Sequence, residues 1–192
     1  MTISNKWFIG LGMLAASATV SAAAPTPAML ANACAGCHGT NGASAGLSMP
    51  SLAGQNRIAT VEAMKGFKSG ERPSTVMGRL AKGYSDAEIE AMADYFAKQK
   101  PVPATGQKLD AALVAKGKDL SEKNCKRCHL ESGKEFDENA AVVAGQWLKY
   151  LQVQMDDYAG GKRKMSEKKA EKMKTLSRDD LEAMAHYYAS VK

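Results

Sequence analysis

The feature that most constrains the fold is an internal repeat, because the second half of the chain copies the first. A shift of 91 residues carries Cys34 onto Cys125, and after one inserted residue the shift becomes 92. The matched segments include Ala53–Gln55 with Ala144–Gln146, and Glu90–Ala93 with Glu182–Ala185. In a chain of 192 residues, each copy has fewer than about 90 residues and buries only a thin core. Each copy therefore needs an additional apolar centre, without which we expect it to be largely unfolded.

All four cysteines of the chain lie in two copies of one motif. The motifs are Cys34-Ala35-Gly36-Cys37-His38 and Cys125-Lys126-Arg127-Cys128-His129. Cys-x-x-Cys-His is the attachment motif of c-type haem. Each thiol forms a thioether with one haem vinyl group, and the adjacent histidine is then held where it can bind the iron. We therefore predict two covalently bound haem c groups, attached through the four cysteines and ligated by His38 and His129.

Other functions of paired cysteines fit this chain less well. A thioredoxin-like dithiol also uses Cys-x-x-Cys, but it belongs to an α/β fold that the sequence does not indicate. A zinc site could use four cysteines, and the histidine that follows each pair would then be accidental. Two structural disulfides, usual in exported proteins, would leave the exact spacing unexplained.

The chain divides into a leader and two domains. Lys6 is followed by an apolar run from Trp7 to Val20 and then by small residues, which is the plan of a signal peptide cleaved after Ala23. An uncleaved anchor is the alternative, but the run is shorter than the ~20 residues that span a bilayer. We predict a signal peptide at 1–23, export to the periplasm and no membrane attachment after cleavage.

A segment with two prolines and a glycine separates the two copies of the repeat. Proline blocks helix continuation and stiffens the chain, so the segment reads as a linker. We predict domain 1 at 25–100, the linker at 101–106 and domain 2 at 107–192.

Helical patterns run through both copies, and no segment shows the clear alternation of a strand. Ser85-Asp86-Ala87-Glu88 is a capping box, and Ser177-Arg178-Asp179-Asp180 occupies the same place in the second copy. The residues predicted to be buried after these caps are Ile89, Met92, Ala93 and Phe96, and Leu181, Met184, Ala185 and Tyr188. Further helices are predicted over Ile58–Ser69, Leu109–Lys123 and Trp147–Tyr158. We expect an all-α fold of two tandem haem domains related by internal duplication.

The second axial ligand of each iron decides what the site can do. A methionine thioether raises the potential and suits electron transfer, whereas an open position favours small gases or peroxide. In the first copy we predict Met77, which lies in a loop between the middle and last helices. Met49 and Met64 compete, and Met64 lies on a helical face that favours a core position.

The second copy departs from this pattern. Met77 corresponds to Lys168 or Lys169, depending on where the inserted residue lies. The nearest thioethers are Met165 and Met173, and we predict Met165 because it directly follows a glycine- and lysine-rich loop. His186 corresponds to Asp94 and is predicted to be a surface residue.

At these residues the chain resembles the periplasmic dihaem cytochromes, and more specifically the cytochrome subunit of flavocytochrome c sulfide dehydrogenase. The resemblance covers nearly the whole mature chain, and its motifs are Cys34–Thr40, Gly66–Glu71, Met77–Ser85 and Ala144–Trp147. It implies two cytochrome c-like domains with a His–Met iron in each. It also implies a separate FAD-containing flavoprotein subunit that oxidises sulfide, and a soluble cytochrome that accepts the electrons.

Charge and motifs limit the remaining function classes. A formal charge of +6 favours an acidic partner. The basic residues match no nucleic-acid motif, so we predict no nucleic-acid partner. No Gly-x-Gly-x-x-Gly fingerprint indicates that the chain itself binds FAD. Four hypotheses remain: the electron-transfer subunit of a flavoprotein, a free-standing dihaem carrier that feeds a terminal oxidase, a peroxidase-type enzyme, and a structural or disulfide-stabilised module.

Overall fold

The computed structural model describes residues 23–137 and 140–192. The predicted signal peptide falls almost entirely on residues outside this part. The described chain contains helices joined by turns and no strand. The first unit contains α1 (Pro27–Asn32), α2 (Ala35–His38), α3 (Arg57–Ser69), α4 (Met77–Leu80) and α5 (Asp86–Ala97). The second unit contains α6 (Ala111–Asn124), α7 (Leu148–Ala159), α8 (Glu167–Met173) and α9 (Arg178–Ser190).

Local capping explains where the predicted helices begin. Capping boxes open both α5 and α9, through Ser85 with Glu88 and Ser177 with Asp180. The helix predicted from Leu109 instead begins at Ala111, because the Asp110 side chain accepts hydrogen bonds from the first backbone amides of α6. The helical predictions are confirmed to within two residues at each end.

Each unit is organised around its last helix. In the first unit α5 packs against α1 and α3, and in the second unit α9 packs against α6 and α7. The eight residues predicted to be buried on these two helices are all buried. Gly117 of α6 lies directly against α9, since a Cβ built at this position would lie only 2.1 Å from the backbone oxygen of Ala183. The glycine allows the two helices to approach this closely.

His186 is buried, so the prediction that it lies on the surface was wrong. Its side chain is 8% exposed, and its Nδ1 accepts a hydrogen bond from the Asp110 amide at 3.0 Å. Its Nε2 lies 3.2 Å from Glu182. The cause is a difference in helix length, because α6 has 14 residues and α1 has 6. The chain leading into α6 therefore covers a face of α9 whose counterpart in α5 stays half-exposed at Asp94.

A reciprocal pair of glutamines joins the two units. The Gln55 side chain donates to the Val142 oxygen at 2.7 Å and accepts from the Val142 amide at 2.9 Å. The Gln146 side chain makes the same two bonds with the backbone of Ser51, both at 2.9 Å. The repeat carries Gln55 onto Gln146 and Ser51 onto Val142, so the contact is the same in both directions. Such self-complementary pairing is typical of a two-fold interface.

Other inter-unit contacts surround the glutamine pairs. Trp147 Nε1 donates to the Ser44 oxygen at 2.9 Å, and Asn56 Nδ2 donates to the Ala140 oxygen at 2.9 Å. The predicted linker is also packed, because Ala104 is buried and its amide bonds to the Gly145 oxygen at 2.7 Å. The two units therefore form one body with a hydrogen-bonded seam. No helix in the described residues is long and apolar enough to cross a membrane.

Candidate haem-binding sites

Both Cys-x-x-Cys-His motifs fold as the same single turn. The His38 amide donates to the Cys34 oxygen at 2.9 Å, and the His129 amide donates to the Cys125 oxygen at 3.0 Å. In each motif the first cysteine is half-buried, while the second, Cys37 or Cys128, is exposed. The two cysteines and the histidine of each motif therefore lie on one turn of the chain.

One ring nitrogen of each histidine is already engaged. Nδ1 of His38 donates to the Pro50 oxygen at 2.9 Å, and Nδ1 of His129 donates to the Ala141 oxygen at 3.1 Å. A carbonyl can only accept, so these bonds place the proton on Nδ1 and leave Nε2 with a free lone pair. A carbonyl partner of this kind orients metal-binding histidines. Burial lowers the pKa of His38, and burial together with the Lys169 charge lowers the pKa of His129 to about 4. Both imidazoles are thus held in the neutral form that binds a metal.

The four cysteines are available for haem attachment. All are free thiols, and burial raises the pKa of the Cys34 and Cys125 thiols. Within the described part of the chain, no group of three or more His, Cys, Asp or Glu residues could hold a metal ion. Each motif thus supplies two thiols and one histidine, which is the donor set of a haem attached through two thioethers.

Two equivalent arginines meet at the side chain of Gln154. Arg72 stacks over the Phe67 ring at 4.4 Å, and Arg163 stacks over the Tyr158 ring at 4.5 Å. Both guanidinium groups donate to the side-chain oxygen of Gln154. No described carboxylate lies within ion-pair distance of either guanidinium. Gln154 therefore holds the two guanidinium groups beside each other.

Met77 begins α4, which packs against α3 in the first unit. Its amide donates to Ser74 Oγ at 2.9 Å, so a serine turn fixes where the side chain leaves the backbone. Met64 packs against the buried cluster on α5, which agrees with the core position favoured for it. Met49 lies in a loop and is 37% exposed. Met77 as the distal ligand of the first haem stays a prediction.

The structure locates the residue inserted in the second copy. The Arg72 amide bonds to the Gly66 oxygen, and the Arg163 amide makes the equivalent bond to the Asp157 oxygen, both at 3.0 Å. The shift of 91 therefore holds as far as Arg163. Beyond it, Lys164 and Met165 stand opposite the single residue Pro73.

The serine that follows the insertion restores the register with a shift of 92. Ser74 Oγ accepts from the Met77 amide, and Ser166 Oγ accepts from the Lys169 amide at 3.4 Å. Lys169 is thus the structural counterpart of Met77. A serine lies three residues before both Met77 and Lys169. This spacing is the sequence signal that could have identified Lys169, and not Lys168, as the counterpart of Met77.

The Lys169 side chain lies against Tyr158 of α7. Its Nζ lies 3.3 Å from the centroid of the Tyr158 ring. Its charge also interacts with Cys125 and His129. Burial, followed by the nearby Arg163 charge, lowers the pKa of Lys169 to about 7. Met165 is half-buried in the loop before α8, and Met165 as a ligand stays a prediction.

The comparisons with known proteins agree with this geometry. The cytochrome c family profile matches residues 24–100 and 114–192. The cytochrome subunit of sulfide dehydrogenase from Chlorobaculum tepidum is 48% identical over 68 residues, which make up 35% of this chain and 61% of that protein. The thiosulfate dehydrogenase electron acceptor of Thiomonas intermedia is 32% identical over 162 residues, covering 80% of this chain and 74% of that protein.

A solved structure shows the same two-unit arrangement. Cytochrome c4 of Acidithiobacillus ferrooxidans superimposes with a TM-score of 0.74 and 26% identity, over 84% of this chain and 99% of that chain. Each segment that matches the family profile contains one Cys-x-x-Cys-His motif. The chain therefore belongs to the cytochrome c family, as an all-α protein of two tandem cytochrome c domains that carry two covalently bound haem c groups.

Proposed function

We propose that this dihaem electron-transfer protein is the cytochrome subunit of a sulfide-oxidising flavocytochrome c. It would accept electrons from a separate FAD-containing subunit and deliver them to a soluble cytochrome. The observation that carries the proposal is the 48% identity with the sulfide dehydrogenase cytochrome subunit of Chlorobaculum tepidum. That match spans about three fifths of the relative, so the complex itself belongs to the proposal.

The residues of this chain bind and position the haems. Cys34, Cys37, Cys125 and Cys128 would tether them, and His38 and His129 would each bind an iron through Nε2. A haem iron supplies reversible one-electron chemistry. The reciprocal glutamine pairs hold the two pockets in one body, which keeps the path between them fixed. We propose no catalytic residue in this chain, because sulfide would be oxidised on the flavoprotein subunit.

An asymmetric charge distribution supports an acidic partner. Five exposed lysines and two exposed glutamates lie within thirteen residues around α8 of the second unit: Lys162, Lys164, Lys168, Lys172 and Lys174, with Glu167 and Glu171. The charged residues that the equivalent stretch of the first unit exposes are Glu71, Arg79 and Lys82, so the second unit carries the larger positive excess. A basic surface beside one haem steers an acidic partner to that site and makes the encounter dependent on salt. We propose that a partner of the complex docks against the second unit.

The cellular location of the protein and the limits of its domains are also part of the proposal. We propose that residues 1–23 are removed on export, that the mature protein works in the periplasm, and that 101–106 joins domains 25–100 and 107–192. The N-terminal sequence of the protein recovered from a periplasmic fraction tests this proposal. A chain that begins at Ala24 supports it, whereas an intact leader contradicts it.

Purification from the native host tests the partner. We expect an FAD-containing protein to co-purify with the tagged holoprotein at equal stoichiometry. Sulfide should then reduce both haems of the complex, whereas the isolated cytochrome with sulfide should react far more slowly. Co-purification of a thiosulfate dehydrogenase, with haem reduction by thiosulfate and not by sulfide, would contradict the assignment to sulfide.

A free-standing dihaem carrier that feeds a terminal oxidase is the second candidate. The observation that favours it is the match to cytochrome c4 of Acidithiobacillus ferrooxidans, which extends over 99% of that chain. This candidate predicts that the holoprotein purifies alone and is oxidised rapidly by oxidase-containing membranes. The two candidates therefore differ in stoichiometry as well as in the reaction that they support.

A further inference from the structure

The two units present different chemical groups at the same distal position. The serine turns before α4 and α8 place Met77 and Lys169 at equivalent points, each donating its amide to the serine three residues earlier. The two units also align before the inserted residue, because the amides of Arg72 and Arg163 make equivalent backbone hydrogen bonds. Met77 and Lys169 therefore leave the backbone at equivalent points of the two units.

From that point the side chain of Lys169 extends to an aromatic ring. Its Nζ rests over the ring of Tyr158, which corresponds to Phe67 in the first pocket. It is also close enough to Cys125 and His129 to interact electrostatically with both. The neighbouring Lys168 is exposed, so inward placement is specific to one of the two adjacent lysines.

No described carboxylate pairs with Lys169. The Lys169 ammonium faces the Tyr158 ring, and a cation–π contact offsets only part of the cost of taking a charge out of water. A metal ligand resolves this conflict, because the amine then enters the pocket without its charge.

We propose that Nζ of Lys169 is the distal ligand of the second haem iron, so that the two irons of this protein carry different ligand sets. The first is His38–Met77 and the second is His129–Lys169. On binding, the ammonium releases one proton to solvent and its lone pair forms the bond to iron, with no change of oxidation state. The proposal replaces Met165 at this position and does not depend on which partner protein the chain serves.

Unlike ligands have a consequence for the direction of electron flow. A thioether is a soft donor that raises the iron potential, whereas an amine is a harder donor that favours the ferric state. The second site is then the lower-potential site and the first is the higher. Electrons therefore enter at the second unit, beside the lysine-rich surface, and leave from the first.

The test counts thioether-ligated irons in the oxidised holoprotein. A ferric haem with a methionine ligand shows a sulfur-to-iron charge-transfer band, and a ferric haem with an amine ligand does not. We expect the wild-type protein to show this band for one of its two haems. Lys169→Met should double the band intensity, because it restores a thioether at the position equivalent to Met77. Electron paramagnetic resonance should show one low-spin species replaced and the other unchanged.

Three further variants complete the test. Lys168→Ala is the matched control and should leave the spectrum unchanged. Met165→Ala and Met173→Ala should also leave the single band intact. Two thioether bands in the wild-type protein, with one lost in Met165→Ala or Met173→Ala, would overturn the proposal. A Lys169→Met protein that keeps one band and both original low-spin species would also overturn it.

Discussion

The proximal side of each haem is decided by one hydrogen bond. The Nδ1 protons of His38 and His129 are held by carbonyls 12 residues further along the chain. Each imidazole therefore has one free nitrogen, and the backbone fixes its orientation before any metal is present. Met77 and Lys169, which we propose as the distal ligands, are placed by an equally local device, the serine three residues before each. At this scale the two sites share one backbone frame, and the proposal gives them different distal ligands.

Met77 can be tested directly at the residue scale. Met77→Ala should abolish the thioether band of the first haem and lower its potential, because the iron loses a soft donor. Optical spectroscopy and redox titration of the oxidised holoprotein measure both effects. Met29→Ala is the matched control, because Met29 is 63% exposed. Loss of the band in Met49→Ala, with Met77→Ala unchanged, would transfer the role to Met49.

The helices bring these residues together through their caps and one close crossing. Ser177 and Asp180 open α9, and Asp180 also pairs with Lys116 of α6 at 2.7 Å. One side chain thus both caps a helix and joins it to its main packing partner. Gly117, the next residue after Lys116, sits where the two helices touch.

Removing the Asp180 cap should destabilise the second unit in a pH-dependent way. Lys116, with hydrogen bonds from Ser177, lowers the pKa of Asp180 to about 2 from an ordinary value of 3.8. The carboxylate therefore stabilises the fold at neutral pH, and the contribution is lost as the pH falls from about 4 towards 2. Asp180→Ala should lower the free energy of unfolding by about 1 kcal/mol at pH 7, a usual value for a cap.

Chemical denaturation at several pH values measures this effect. The difference between the wild-type protein and the Asp180→Ala variant should narrow as the pH approaches 2. Asp179→Ala is the control, since it removes a charge from the same helical turn but leaves the capping box intact. An equal loss of stability in both variants at pH 7 would count against the cap.

A side chain at Gly117 should separate α6 from α9. An alanine Cβ would lie 2.1 Å from the Ala183 oxygen and 2.7 Å from the Tyr187 Cβ. Both neighbours belong to α9, so the helices must move apart, and Gly117→Ala should cost about 3 kcal/mol of unfolding free energy. Thermal unfolding of the holoprotein measures this. Gly83→Ala is the control, because no atom lies within 4 Å of a Cβ at Gly83. Equal melting temperatures for the two variants would contradict the close crossing.

The whole molecule is a pair of similar units joined by a self-complementary seam. Gln55 and Gln146 each satisfy both backbone groups of one residue in the other unit. The linker is packed along the same seam, where Pro101 contacts Gly54 and Pro103 contacts Gly145. Two haem pockets held in this way keep a constant separation, which a flexible tether would not provide.

Breaking one glutamine pair should uncouple the units. Gln146→Ala leaves the amide and oxygen of buried Ser51 without their partner, at a cost of about 2 kcal/mol. Denaturant unfolding, followed at the absorption bands of the two haems, should then show separate transitions. Gln152→Ala is the control, because Gln152 bonds to Glu182 within the second unit. Coincident transitions in Gln146→Ala, at the wild-type midpoint, would show that the seam does not couple the units.

Local signals in the sequence predicted most of the fold. Helix caps, apolar spacing and the haem motifs depend on residues close together in the chain, and α5 and α9 were predicted correctly, while His38 and His129 as iron ligands stay a prediction. The buried position of His186 was missed, because it depends on the chain before α6 folding across α9. The glutamine pairs were also missed, since a glutamine carries no indication of which distant backbone it will meet. The distal residue of the second site stayed ambiguous because the insertion could be placed at several positions.

The central claim is that both cysteine pairs hold haem covalently, and its most direct test is the mass of the exported protein. The protein should be denatured, washed with acidic solvent to remove any unattached porphyrin, and analysed by mass spectrometry together with its haem absorption. We expect the mass of the mature chain plus two haem groups, with no free thiol among Cys34, Cys37, Cys125 and Cys128. A mass without porphyrin, or two disulfides in its place, would contradict the account.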